Sequence, residues 1–83
     1  MELIYEPAAL RDLKGLPKAD AKRIMEALRL VVDRYPQRQS FVTEMQGAPG
    51  YWRLRKGDWR AIYRQTGTTI EVIRIGKRGE IYE

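Results

Sequence analysis

Between residues 51 and 64 apolar and basic side chains alternate on either side of Gly57-Asp58. A period of two, broken by a glycine-led dipeptide, specifies an antiparallel hairpin. With Gly57-Asp58 as a two-residue turn, Lys56 faces Trp59, Arg55 faces Arg60, Leu54 faces Ala61, Arg53 faces Ile62 and Trp52 faces Tyr63. A slip of one residue would exchange the two faces, so this register decides which side chains share a surface. One face carries Trp52, Leu54, Trp59, Ala61 and Tyr63 and needs a core beneath it. The other carries Tyr51, Arg53, Arg55, Arg60, Ile62 and Arg64. Like charges directly opposite each other destabilise a strand pair by up to about 1 kcal/mol. A face kept only for solubility would mix signs, so this one calls for an anionic partner.

The rest of the chain supplies what the apolar face lacks. Thr66-Gly67-Thr68 turns the chain into a third strand, Thr69 to Ile75, which completes an antiparallel meander. Gly76 to Gly79 break it, and Glu80-Ile81-Tyr82 reads as a short terminal strand. Upstream, Leu3-Ile4-Tyr5 forms a first strand, and Pro7 opens a helix to Lys14 with Gly15 as its left-handed end. From Pro17 to Tyr35 the apolar positions Ala21, Ile24, Met25, Leu28 and Val32 repeat with helical spacing, and Pro36 stops the run. Residues 37–50 are long for a connection, so a turn or extended piece is expected inside, with Phe41, Val42 and Met45 tucked against the core. The expectation is one α+β domain over residues 1–83. Two N-terminal helices form a hairpin packed on one face of a twisted antiparallel sheet, with a short strand before them and the three-strand meander after them.

Composition narrows the chemistry. The chain has 83 residues, a formal net charge of +5, no cysteine and no histidine. Disulfides, thiol nucleophiles and imidazole catalysis are excluded, and no metal site is expected. Residues 1–50 hold eight basic and seven acidic side chains, whereas residues 51–83 hold eight and four. The excess therefore lies with the arginine hairpin, which favours a polyanion. No apolar run approaches the roughly 20 residues of a membrane span, and the N-terminus has no secretory pattern. A cytoplasmic protein with no membrane partner and no small-molecule cofactor is expected.

Tyr51 to Tyr63, and again Ile75-Gly76-Lys77-Arg78-Gly79-Glu80-Ile81-Tyr82, resemble the RelE-like toxins of the RelE/ParE toxin–antitoxin superfamily. Leu16-Pro17, Tyr35-Pro36 and Met45-Gln46-Gly47 extend the resemblance over essentially the whole chain. It implies a RelE-like fold and a ribosome-dependent mRNA endoribonuclease: metal-free cleavage in the A site, by attack of a ribose 2′-hydroxyl on the adjacent phosphate. The family's catalytic positions fall on Arg53, Arg60, Arg78 and Tyr82, with Arg55, Lys56 and Lys77 as RNA phosphate ligands. Arg53 and Arg60 would stabilise charge on the phosphoryl oxygens, Arg78 would serve the leaving oxygen, and Tyr82 would stack on a base. Arg60 is accordingly expected to serve the phosphate and not the fold. Arginine cannot act as a base, so Lys56, Lys77 and Glu80 stay open for that role. The resemblance also implies an acidic antitoxin partner besides the ribosome with its mRNA. Competing readings are a ParE-like inhibitor of DNA gyrase, a nucleic-acid-binding module and an inactive antitoxin-binding homologue.

Overall fold

The computed structural model describes residues 1–81. The chain runs β1 (Glu2–Tyr5), α1 (Pro7–Lys14), α2 (Lys18–Asp33), β2 (Val42–Glu44), β3 (Tyr51–Lys56), β4 (Trp59–Gln65) and β5 (Thr69–Lys77). The strands form one sheet in the order β1-β5-β4-β3-β2. Ala9 of α1 and Ile24, Ala27, Leu28, Val31 and Val32 of α2 build a single core with Leu54, Ala61, Tyr63, Ile70, Val72 and Ile75. Both helices thus cover one face, and the α+β architecture matches expectation. Neither helix is long and apolar enough to cross a membrane.

The hairpin has the register its alternation specifies, from Tyr51↔Arg64 to Lys56↔Trp59. Gly57 adopts φ +58 while Asp58 stays on the negative side, which is the glycine-first pattern of a tight hairpin turn. Leu54 and Ala61 are fully buried and Tyr63 is 1% exposed. Removing a side chain such as Leu54 from water contributes about 1.5–3 kcal/mol, so register and core specify each other.

Several details differ from the expectation. The sheet is mixed, because β1 pairs with β5 in parallel from Glu2↔Thr69 to Tyr5↔Val72. A short apolar run carries no sign of strand direction, and here the whole intervening chain serves as the long connection a parallel pair needs. The helix α2 begins after Pro17 and ends at Asp33, since the residue before Pro36 must leave the helical region. Gly15 is not left-handed: it sits at φ −86, ψ −6, and α1 closes through Gly15 N–H to Asp12 O (3.0 Å). The long connection contains β2, paired Val42↔Leu54, Thr43↔Arg53 and Glu44↔Trp52. Strand β5 continues through Gly76, and residues 78–81 form a turn and bend, with Ile81 N–H donating to Lys77 O (3.1 Å). Within residues 80–81 there is no terminal strand, and Tyr82 lies outside the described residues.

Strand β5 also bulges. Its pairing with β4 steps from Ile62↔Arg74 to Tyr63↔Val72, which leaves Ile73 as the extra residue and turns Ile75 into the core behind Ile70 and Val72. Beyond Tyr5, β1 no longer covers this edge. Asp12 of α1 does so instead, accepting hydrogen bonds from Ile75 N–H (2.8 Å) and Arg74 Nε (2.8 Å). Burial raises the Asp12 carboxyl, but the hydrogen bonds from Arg74 and Ile75 and the Arg74 charge outweigh it. The net effect holds the carboxyl below its ordinary value.

Candidate functional site

The open face of the sheet gathers Arg53, Arg55 and Arg60 because β3 and β4 alternate in register. Arg55 and Arg60 are direct cross-strand partners. With Ser40, Phe41 and Thr43 from the β2 side they line a cleft of about 170 Å³. No carboxylate of the described residues lines it. Elsewhere on the sheet Arg64 pairs with Glu71, its cross-strand partner, and Arg74 with Asp12.

Arg60 combines a place in the cleft with contacts inside the fold. The residue is only 9% exposed, and its Nη1 donates to Gly57 O (2.9 Å) and Trp59 O (3.0 Å). The guanidinium is anchored to the hairpin turn, and the two carbonyl dipoles offset part of its repulsion with Arg55. It is a structural arginine that also lines the cleft.

Gly76 explains how the segment at residues 78–81 reaches this face. It is the cross-strand partner of Arg60, and a Cβ built on it would lie 3.2 Å from Ile81 Cβ. The missing side chain lets the 78–81 segment fold over the strand beside Arg60. Arg78 N–H donates to Asp58 O (2.7 Å), which ties that segment to the hairpin turn, and Lys77 is paired with Trp59. Of the residues expected to form the site, Arg53, Arg55 and Arg60 share the cleft, Arg78 is tied to the hairpin turn by its backbone N–H, and Lys77, as the cross-strand partner of Trp59, takes a position of the opposite, helix-side face. Lys56 belongs elsewhere. It lines a cavity beside α2 with Asp20, Arg23 and Trp59, and its Nζ lies 5.8 Å from the Phe41 ring centroid. Tyr82 is outside the described residues.

Ser40 and Thr43, which sequence reasoning passes over, bring hydroxyls to the cleft. Thr43 lies in a strand of only three residues and Ser40 in the turn before it, too little for periodicity to reveal. Asp12 had a readable signal, since an acidic residue in the last turn of a helix opposes the helix dipole and needs a tertiary reason.

The family model for the ParE toxin of the parDE type II toxin–antitoxin system matches residues 3–82. The chain belongs to this toxin family. Among solved structures, the toxin is similar to the RelE–RelB complex of Pyrococcus horikoshii OT3, with 27% identity, a TM-score of 0.74, and 96% of this chain and 97% of that chain covered. It is also similar to the RelBE2 toxin–antitoxin complex of Mycobacterium tuberculosis, at 25% identity, TM-score 0.76, and coverage of 93% and 96%. The isolated E. coli RelE toxin shares the fold at 18% identity and TM-score 0.79, with 95% and 85% covered. No curated protein matches the sequence. The toxin is thus a RelE-like type II toxin of the RelE/ParE superfamily.

Proposed function

We propose that the toxin is an mRNA endoribonuclease that works in the ribosomal A site and arrests translation in the cytoplasm. The observation that carries this reading is the cleft lined by Arg53, Arg55 and Arg60, with the strand end bearing Lys77 and Arg78 tied to the same hairpin. In-line attack of a 2′-hydroxyl on the adjacent phosphate concentrates negative charge on the phosphoryl oxygens. Guanidinium groups held in place stabilise that charge without reorganising. Arg53 and Arg60 take this role, Arg55 and Lys77 hold flanking phosphates, Arg78 serves the departing 5′-oxygen and Tyr82 stacks on a base. Lys56 and Lys77, both cross-strand partners of Trp59 on the helix-side face, are the weaker of the proposed phosphate ligands. A guanidinium keeps its proton below about pH 12, so the 2′-hydroxyl proton must go to another group. Lys77 and Glu80, flanking Arg78, are the candidates.

The toxin–antitoxin complexes among its structural relatives support an acidic antitoxin as the partner that neutralises it. A second reading, inhibition of DNA gyrase, is favoured by the ParE description of the matching family. Primer extension on a translated message after induction separates the two. Cuts within codons are expected, and intact message with failing DNA supercoiling would replace the ribonuclease by the gyrase inhibitor.

A further inference from the structure

On the helix side of the sheet, at the end away from the hairpin turn, α2 has ended and the segment at residues 34–39 takes its place. There Trp52 and Tyr63, cross-strand partners, lie nearly parallel at an interplanar angle of 6° with centroids 6.5 Å apart. The guanidinium carbon of Arg38, an exposed residue, sits 5.1 Å from the Trp52 ring centroid. Beside them is a slot of about 100 Å³ whose rim includes Gln37, Gln39 and Gln65. Val31 and Val42 contribute apolar lining, and among the described residues no carboxylate lines it.

These are the ingredients of heteroaromatic recognition. Trp52 offers a π-face and Arg38 a planar cation that stacks on the opposite side of a guest; Gln37 and Gln65 offer amides able both to donate and to accept, while Gln39, whose Nε2 donates to Gln37 O (3.3 Å), offers its acceptor oxygen. An aliphatic side chain would fill the same volume yet leave the amide rim unmatched, and unmatched polar groups cost binding energy. We propose that this slot binds one nucleobase, from a nucleoside or a single-stranded RNA, stacked on Trp52 beneath Arg38 and read at its edge by the glutamines. Stacked layers are about 3.4 Å apart, so a sandwiched base needs roughly 7 Å between Trp52 and Arg38. The exposed Arg38 side chain rises by about 2 Å to admit it. The slot is on the opposite face from the arginine cleft, since Trp52 and Arg53 are successive strand residues, and the inference does not depend on the chemistry of that cleft.

The test uses uncharged nucleosides, which give the arginine cleft no phosphate to bind. Adenosine, guanosine, cytidine and uridine are each titrated into the full-length protein while the Trp52 indole N–H is followed by NMR, its signal assigned with Trp59→Phe. Saturable movement with a preference among the bases is expected, at least tenfold weaker in Arg38→Ala. Movement only with a single-stranded RNA pentamer, again weakened in Arg38→Ala, supports the proposal with RNA as the source. No movement with either probe at tens of millimolar overturns it, as does equal affinity in Arg38→Ala. Movement produced only by the cognate antitoxin also overturns it and gives the slot to a protein side chain.

Discussion

Replacing Asp12 tests how α1 is fastened to the sheet. In Asp12→Ala the Ile75 N–H loses a charged acceptor, a bond type that contributes about 1.5–3 kcal/mol. The Arg74 bridge adds only about 0.5 kcal/mol, because Arg74 is 57% exposed and exposed pairs are screened. Against this, removing a carboxylate from the last turn of α1 relieves about 0.5 kcal/mol of helix-dipole repulsion. The net loss is roughly 2 kcal/mol, or a fall in Tm of about 8–16 °C for a domain of this size. Asp12→Asn keeps an acceptor oxygen and should lose about half as much. Arg74→Ala should lose only about 0.5 kcal/mol. Because the folded carboxyl lies below its ordinary value of about 3.9, its contribution is complete above about pH 5 and fades as pH falls through the folded value. The difference between wild type and Asp12→Asn should therefore be flat from neutrality to about pH 5 and shrink below about pH 4. Thermal denaturation across that range decides it. Equal losses in Asp12→Asn and Arg74→Ala, or a difference that grows on acidification, would refute the assignment to the Ile75 bond.

Four further outcomes concern the proposed site. Arg60→Ala should abolish growth arrest and also cost about 1–2 kcal/mol, since its backbone hydrogen bonds outweigh the relieved repulsion with Arg55; a rise in Tm would show that repulsion dominates. Arg78→Ala should slow single-turnover cleavage on programmed ribosomes by about 100-fold or more with unchanged ribosome affinity. Tyr82→Phe should keep the activity that Tyr82→Ala loses, unless the phenol takes part in proton transfer. Gly76→Val should displace the 78–81 segment from beside Arg60 and reduce cleavage with little change in Tm, and full activity in that variant would separate the segment from the site.

The hairpin, its register and the arginine face are legible in the sequence because period-two patterning and a glycine turn leave one solution. The Pro7 start of α1 is legible for the same kind of local reason. What the sequence does not carry is long-range. The parallel pairing of β1 with β5 joins Leu3 to Ile70, and three residues of β2 are too few for a pattern. The bulge at Ile73 is invisible because Ile70, Val72, Ile73 and Ile75 are all apolar, and only the core decides which turns inward. The site divides similarly. Local alternation gathers Arg53, Arg55 and Arg60, whereas the anchoring of Arg60 to Gly57 and Trp59 and the closeness of Gly76 to Ile81 depend on where turns place backbone.

The strict alternation of β3 and β4 also limits how such a gene can be disarmed. Deleting or inserting one codon within Tyr51 to Lys56 would exchange faces, sending arginines toward Ile24 and Leu28 and Trp52 and Leu54 into water. A one-residue length change there removes the fold together with the activity. Substitutions at Arg53 or Arg55 leave the buried face untouched. Among survivors selected for escape from growth arrest, soluble toxin should therefore be found with substitutions on the open face and never with a one-residue length change in either strand.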